Sequence, residues 1–142
     1  MSDLVVDSSD VAKWILPEAD SAKAQHLIVQ TAAAGERLIV LDLVFPEVAN
    51  AIWKRHRQQL INLSEARALL AALVRSPVAV EPAVSLLASA FEMATKYDRA
   101  IYDALFVALA EQQGLPGITA DEPLFNAIHA DFPRIVLLRD FP

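Results

Sequence analysis

The chain has 142 residues, a length that suits one domain built on one core. Hydrophobic residues make up 55% of it, and the formal net charge is −6. This composition excludes intrinsic disorder, and the negative balance argues against a general, metal-free nucleic-acid binder, because phosphate contacts need Lys and Arg.

The first apolar run, Leu4-Val5-Val6, is short and β-branched and is expected to be a buried strand ending at Asp7. Ser8, Ser9 or Asp10 can then cap a helix running through Leu16, which Pro17 ends. A second helix is expected from Asp20 or Ser21 to Ala34, with Gly35 as its stop. Leu38-Ile39-Val40-Leu41 reads as the second strand. Pro46 suits the first turn of a third helix that reaches about Gln59, and Ser64 is the expected cap of a fourth helix through Arg75. Val78-Ala79-Val80 is a short strand candidate, followed by helical sequence from Val84 to about Lys96. A helix over Ile101 to Gln113 ends at Gly114. Gly117-Ile118-Thr119 is a strand leading to Ala120-Asp121, a brief helix starts at Pro123, and Arg134 to Leu138 is the last strand.

Short apolar strands alternating with helices define an α/β class with a mainly parallel central sheet flanked by helices. No Pro/Gly/Ser-rich stretch or charge run marks a linker, so residues 1–142 are expected to form one domain. The chain has no cysteine, which removes disulfides, thiolate zinc and a Cys nucleophile. No run of about 18 apolar residues predicts a membrane span, and no basic stretch opens a secretory signal, so the default location is the cytoplasm. A mean hydropathy of +0.35 on so small a domain leaves apolar surface exposed, which points to a homodimer.

Ligands of open parallel sheets bind beyond the carboxyl ends of the strands. Two strands deliver an acid there, Asp7 and Asp121, and two more acids, Glu47 and Asp103, lie near the starts of otherwise apolar helices. Asp7 and Asp121 also suit helix caps, and Glu47 and Asp103 also suit the helix dipole. Asp10, Asp20, Asp42 and Asp98 are expected to be caps or solvated charges. Carboxylates brought together repel and raise one another's pKa unless a cation neutralises them, and hard oxygen donors suit Mg²⁺ or Mn²⁺. His26, His56 and His129 share no ligand spacing.

Four segments resemble the PIN-domain ribonucleases, specifically the VapC-type toxins of bacterial toxin–antitoxin pairs. They are Val5-Val6-Asp7-Ser8-Ser9 with Trp14, Pro46-Glu47-Val48-Ala49-Asn50-Ala51-Ile52-Trp53, Tyr102 to Glu111, and Ile118-Thr119-Ala120-Asp121-Glu122-Pro123-Leu124. The resemblance implies that Asp7, Glu47, Asp103 and Asp121 hold one or two Mg²⁺ or Mn²⁺ ions, with Ser9 and Thr119 as supporting hydroxyls. It further implies metal-dependent hydrolysis of an RNA phosphodiester, leaving 5′-phosphate and 3′-hydroxyl ends, a homodimer, and a cognate antitoxin docking near the acids. Pro123, Leu124 and Phe125 stand where some members carry a further acid.

Lys54 shares a helix face with Glu47 by the three-and-four spacing, while Arg55 does not, so Lys54 is a candidate phosphate contact; Lys96 and Arg99, which precede Asp103, are further candidates. Trp14 and Trp53 are expected in the core or at an interface rather than stacked on bases. Two other readings remain open. A small Mg²⁺-dependent phosphatase would need a second acid two residues after Asp7, where Ser9 stands. A non-catalytic scaffold would bind RNA or protein without cutting.

Overall fold

A computed structural model describes residues 3–142. Five strands form one sheet: β1 (Leu4–Val6), β2 (Leu38–Leu41), β3 (Ala79–Glu81), β4 (Gly117–Thr119) and β5 (Ile135–Leu137). The order is β3-β2-β1-β4-β5, with every adjacent pair parallel. Seven α-helices flank the sheet: α1 (Ser8–Ile15), α2 (Ser21–Ala33), α3 (Val44–Arg57), α4 (Leu63–Val74), α5 (Leu87–Tyr97), α6 (Ile101–Gln113) and α7 (Glu122–Ile128).

The strands are apolar runs because both faces of the sheet are covered. Val5, Val40 and Ile118 are fully enclosed, and each such side chain contributes about 1.5–3 kcal/mol relative to exposure. Helix α6 is central. Every residue from Ala104 to Ala110 is buried, and the helix packs on β1, β2, β4 and α5. That all-round burial explains its unbroken apolar sequence.

Gly117 lets β4 pass close beneath α6. A Cβ there would lie 2.7 Å from Ile135 Cδ1 and 3.0 Å from Phe106 Cζ. Gly114 ends α6 in the left-handed conformation at φ 63°, where a side chain is disfavoured.

Several boundaries differ from the sequence reading for local reasons. Helix α4 is capped by Asn62, not Ser64. Asn62 and Glu65 exchange side-chain and backbone hydrogen bonds in a capping box, which places Ser64 inside the first turn. Helix α3, Val44–Arg57, has Pro46 in its first turn as expected but stops two residues short of Gln59. Strand β3 lies one residue later than Val78–Val80, because its register is set by pairing Ile39 with Ala79 and Leu41 with Glu81. The segment from Val84 opens as a 3₁₀ turn, Val84–Leu86, before α5. A second 3₁₀ turn, Leu138–Asp140, takes the residue after β5. Among the described residues no helix is long and apolar enough to cross a membrane.

Candidate active site

The strand order runs outward from β1 in both directions: β2 and β3 on one side, β4 and β5 on the other. The carboxyl ends of β1 and β4 therefore flank the point where the chain reverses its direction across the sheet, the place where such sheets form a crevice. Asp7 leaves β1 at this point, and Asp121 follows β4 by two residues.

Asp7 is nearly fully buried, at 8% exposure, and both of its oxygens are engaged. Oδ1 accepts the Ser8 backbone N–H at 2.8 Å. Oδ2 accepts the hydroxyls of Ser9 and Thr119, each at 2.9 Å. Capping and site-building thus coincide in one residue, since Asp7 is also the N-cap of α1. Ser9 Oγ accepts the Ala120 N–H, and Thr119 Oγ1 accepts the Asp121 N–H, each at 3.0 Å. The two hydroxyls therefore fasten the β4–α7 turn to Asp7. Asp121 is itself the N-cap of α7, with Oδ1 accepting the Leu124 N–H at 3.1 Å.

Glu47, in the first turn of α3, is brought alongside by Ser8. Ser8 Oγ lies 3.3 Å from Glu47 Oε2 and 3.5 Å from Asp7 Oδ1. Asp103, in the first turn of α6, pairs with Arg99 at 3.6 Å.

The acids act on one another. Burial raises the Asp7 carboxyl above its ordinary range; the Thr119 and Ser9 hydroxyls and the Ser8 N–H oppose this, and Asp103 adds to it. Glu47 is raised by desolvation and then by the Asp7 charge, against the Ser8 hydrogen bond, with Asp103 adding. Asp103 is raised by desolvation and then by Asp121, against Arg99. Asp7, Glu47 and Asp103 thus sense one another's charge, and Asp121 enters through its field on Asp103.

The donor set is carboxylate and hydroxyl oxygen, the chemistry that Mg²⁺ and Mn²⁺ select, and its mutual repulsion favours a divalent cation. Among the described residues no group of three or more acids or histidines is gathered closely enough to hold an ion as it stands. The fit is therefore one of donor type and field.

Lys54 is exposed and makes no ion pair with the four acids among the described residues. Arg55 turns away to Glu18, at 3.0 Å. Glu122 pairs with Arg139. Trp14 is in the core, but Trp53 is 49% exposed and lies under Arg57, so the core reading does not hold for it.

Asp10 takes part in the α1 capping box, in line with the cap expected of it, but its burial was not foreseen. It is not solvated but fully enclosed, its Oδ2 accepts the Asp7 N–H at 3.1 Å, and its Oδ1 has no partner. Burial, then the Asp7 charge, pushes its carboxyl well above the ordinary range. The signal available was its position three residues after the Asp7 cap, the spacing of a capping box. Asp42 is a cap-like acceptor for the Ala83 N–H, and Asp20 and Asp98 are exposed residues with left-handed backbones.

Comparison with known proteins gives the same outline. The PIN domain family model matches residues 4–129. Ribonuclease VapC3 of Pyrobaculum aerophilum is 37% identical over 135 residues, covering 94% of this chain and 97% of its own. The crystal structure of PAE2754 from Pyrobaculum aerophilum matches with a TM-score of 0.70 at 24% identity, over 97% of this chain and 92% of that one. A toxin–antitoxin complex from Klebsiella pneumoniae matches with a TM-score of 0.64 at 17% identity, over 96% and 98%. The two structural likenesses carry the fold alone.

Proposed function

The chain belongs to the PIN domain family, and on that premise we propose that Asp7, Glu47, Asp103 and Asp121 are the metal-holding residues of an RNA-cleaving site. The protein is an endoribonuclease of the VapC toxin type. The observation that carries the site assignment is the meeting of Asp7 with Glu47 through Ser8, which lies 39 residues from Glu47, at the carboxyl end of β1.

Asp7 would be the rigid ligand. Its hydrogen bonds to Ser8, Ser9 and Thr119 fix the carboxylate without long, flexible side chains. Glu47, Asp103 and Asp121 would complete the set, with Mg²⁺ or Mn²⁺ as the ion. When bound, the ion supplies a water of lowered pKa and a positive charge for the phosphodiester oxygens. Ser9 and Thr119 keep the β1 and β4 ends in register, so that Asp121 stays beside Asp7. Arg99 and Lys54 are the candidate phosphate contacts, Arg99 through its place next to Asp103 and Lys54 through its helix face.

RNA is the proposed substrate, and the site works in the cytoplasm. An antitoxin is the proposed regulator, in keeping with the likeness to a toxin–antitoxin complex. A homodimer is supported by exposed apolar side chains at Val84, Leu87 and Phe91, the last two one turn apart on α5. Ser9 is committed to Asp7, so the residue two positions on gives a small phosphatase no second acid.

The experiment is cleavage of RNA by the purified chain with Mg²⁺ or Mn²⁺, with and without chelator, followed by end analysis. Metal-dependent products with 5′-phosphate ends are expected. Turnover of small phosphate esters with RNA untouched would overturn the reading.

A further inference from the structure

Four carboxylates face one region, yet among the described residues a single cation pairs with any of them: Arg99, with its Nη2 3.6 Å from Asp103 Oδ2. Its position is set by the chain. Asp98 ends α5 with a left-handed backbone at φ 53°, and the Arg99 N–H returns to the Ala94 carbonyl at 3.1 Å. This turn places Arg99 four residues before Asp103, on the same side of the first turn of α6.

The guanidinium is poorly satisfied there. Its Nε is buried without a hydrogen-bond partner, beside an apolar lining that includes Met93, Leu124 and Phe132. A buried N–H without an acceptor is costly, and a better-placed Arg would engage its carboxylate through two nitrogens. The contact is therefore held mainly by charge, through one nitrogen rather than a paired, two-nitrogen geometry.

We propose that Arg99 is a built-in counter-ion that competes with the divalent metal for Asp103, so that metal entry displaces it and the metal affinity of the site is set partly by this residue. The proposal rests on the metal-holding role assigned above to the four acids. One guanidinium offers a single charge to Asp103, whereas a divalent ion neutralises several of the acids at once, so the exchange favours the ion at sufficient concentration.

The test is calorimetric titration of Mn²⁺ into the full chain, without RNA. It uses wild type, Arg99→Gln, Arg99→Lys and, as a control, Arg134→Gln, which removes an ion pair that Arg134, just before β5, makes with Glu111 of α6. Arg99→Gln should bind Mn²⁺ more tightly, by roughly 3- to 5-fold, the upper part of the range expected for loss of one part-exposed ion pair. Arg99→Lys, which keeps the charge, should stay within about 2-fold of wild type, as should Arg134→Gln. Thermal melts in chelator provide a second readout. Arg99→Gln should melt below wild type, and saturating Mg²⁺ should narrow the gap. Equal or weaker Mn²⁺ binding by Arg99→Gln overturns the counter-ion role while leaving the metal site intact. Failure of wild type to bind Mn²⁺ overturns both this role and the site assignment. If Arg99→Gln does not fold, Arg99→Met serves as the neutral variant with the same expected tightening.

Discussion

Thr119, the last residue of β4, donates its hydroxyl to Asp7, the residue that leaves β1, at 2.9 Å across a separation of 112 residues. The same hydroxyl accepts the Asp121 N–H, so one buried side chain fastens two proposed metal ligands. Thr119→Val keeps the shape and removes both bonds. It should destabilise the chain by about 1–3 kcal/mol, the usual cost of stranding buried polar groups. Urea denaturation measures this, and Thr119→Ser should recover most of the loss.

Asp10 predicts the opposite sign. Its carboxyl is enclosed, has one unpartnered oxygen, and is raised by burial and by Asp7. Asn at this position keeps an oxygen for the Asp7 N–H without a charge. Asp10→Asn should therefore be more stable than wild type at neutral pH. The gain should vanish in acid, where the wild-type carboxyl is protonated. Denaturation midpoints at pH 7.5 and pH 4.5 decide it; a variant less stable than wild type at both would contradict this account of the buried acid.

The carboxyls of Asp7, Glu47 and Asp103 are all raised, first by burial and then by neighbouring acids. The folded chain thus holds these protons more tightly than the unfolded chain. The stability they contribute is complete below the ordinary carboxylate range and is lost as pH rises through the raised values. A divalent ion should offset that loss. Mg²⁺ should raise the melting temperature at pH 7.5 and have little effect near pH 4, where protons occupy the same oxygens. Equal stabilisation at both pH values would count against binding at these acids.

Gly117→Ala tests the close passage of β4 beneath α6. The added methyl meets Ile135 Cδ1 at 2.7 Å, Phe106 Cζ at 3.0 Å and Ala110 Cβ at 3.1 Å. Overpacking of this kind should cost about 1–3 kcal/mol. Because β4 carries Thr119 and leads to Asp121, cleavage should fall as well. An unchanged denaturation midpoint would show that the neighbours move aside freely.

The strands were legible because both sheet faces are covered, so Leu4-Val5-Val6 and Leu38 to Leu41 show as unbroken apolar runs. The strand-end acids were legible because a parallel sheet presents its carboxyl ends to one side. Asn62 was not identified as the α4 cap, because Asn62 and Ser64 both have capping side chains and only the Glu65 contact chooses between them. Asp10 was misjudged because local spacing shows a cap but not the packing above it. Trp53 lies on an apolar helical stripe that the rest of the described fold leaves exposed. The pairing of Arg99 with Asp103 follows the four-residue rule, but its unpartnered Nε depends on Met93 and Phe132, which no local pattern relates to it.

The most direct measurement of the central claim is the rate of Mg²⁺-dependent RNA cleavage by Asp7→Asn against wild type, with circular dichroism confirming that both are folded. Asn at position 7 can still cap α1 but offers one neutral oxygen in place of a carboxylate. Loss of cleavage on the order of 10²–10³-fold or more is expected, the scale set by removing one group that acts on transition-state charge. A folded Asp7→Asn protein that cuts RNA as fast as wild type would contradict the assignment of this acid cluster as the catalytic site.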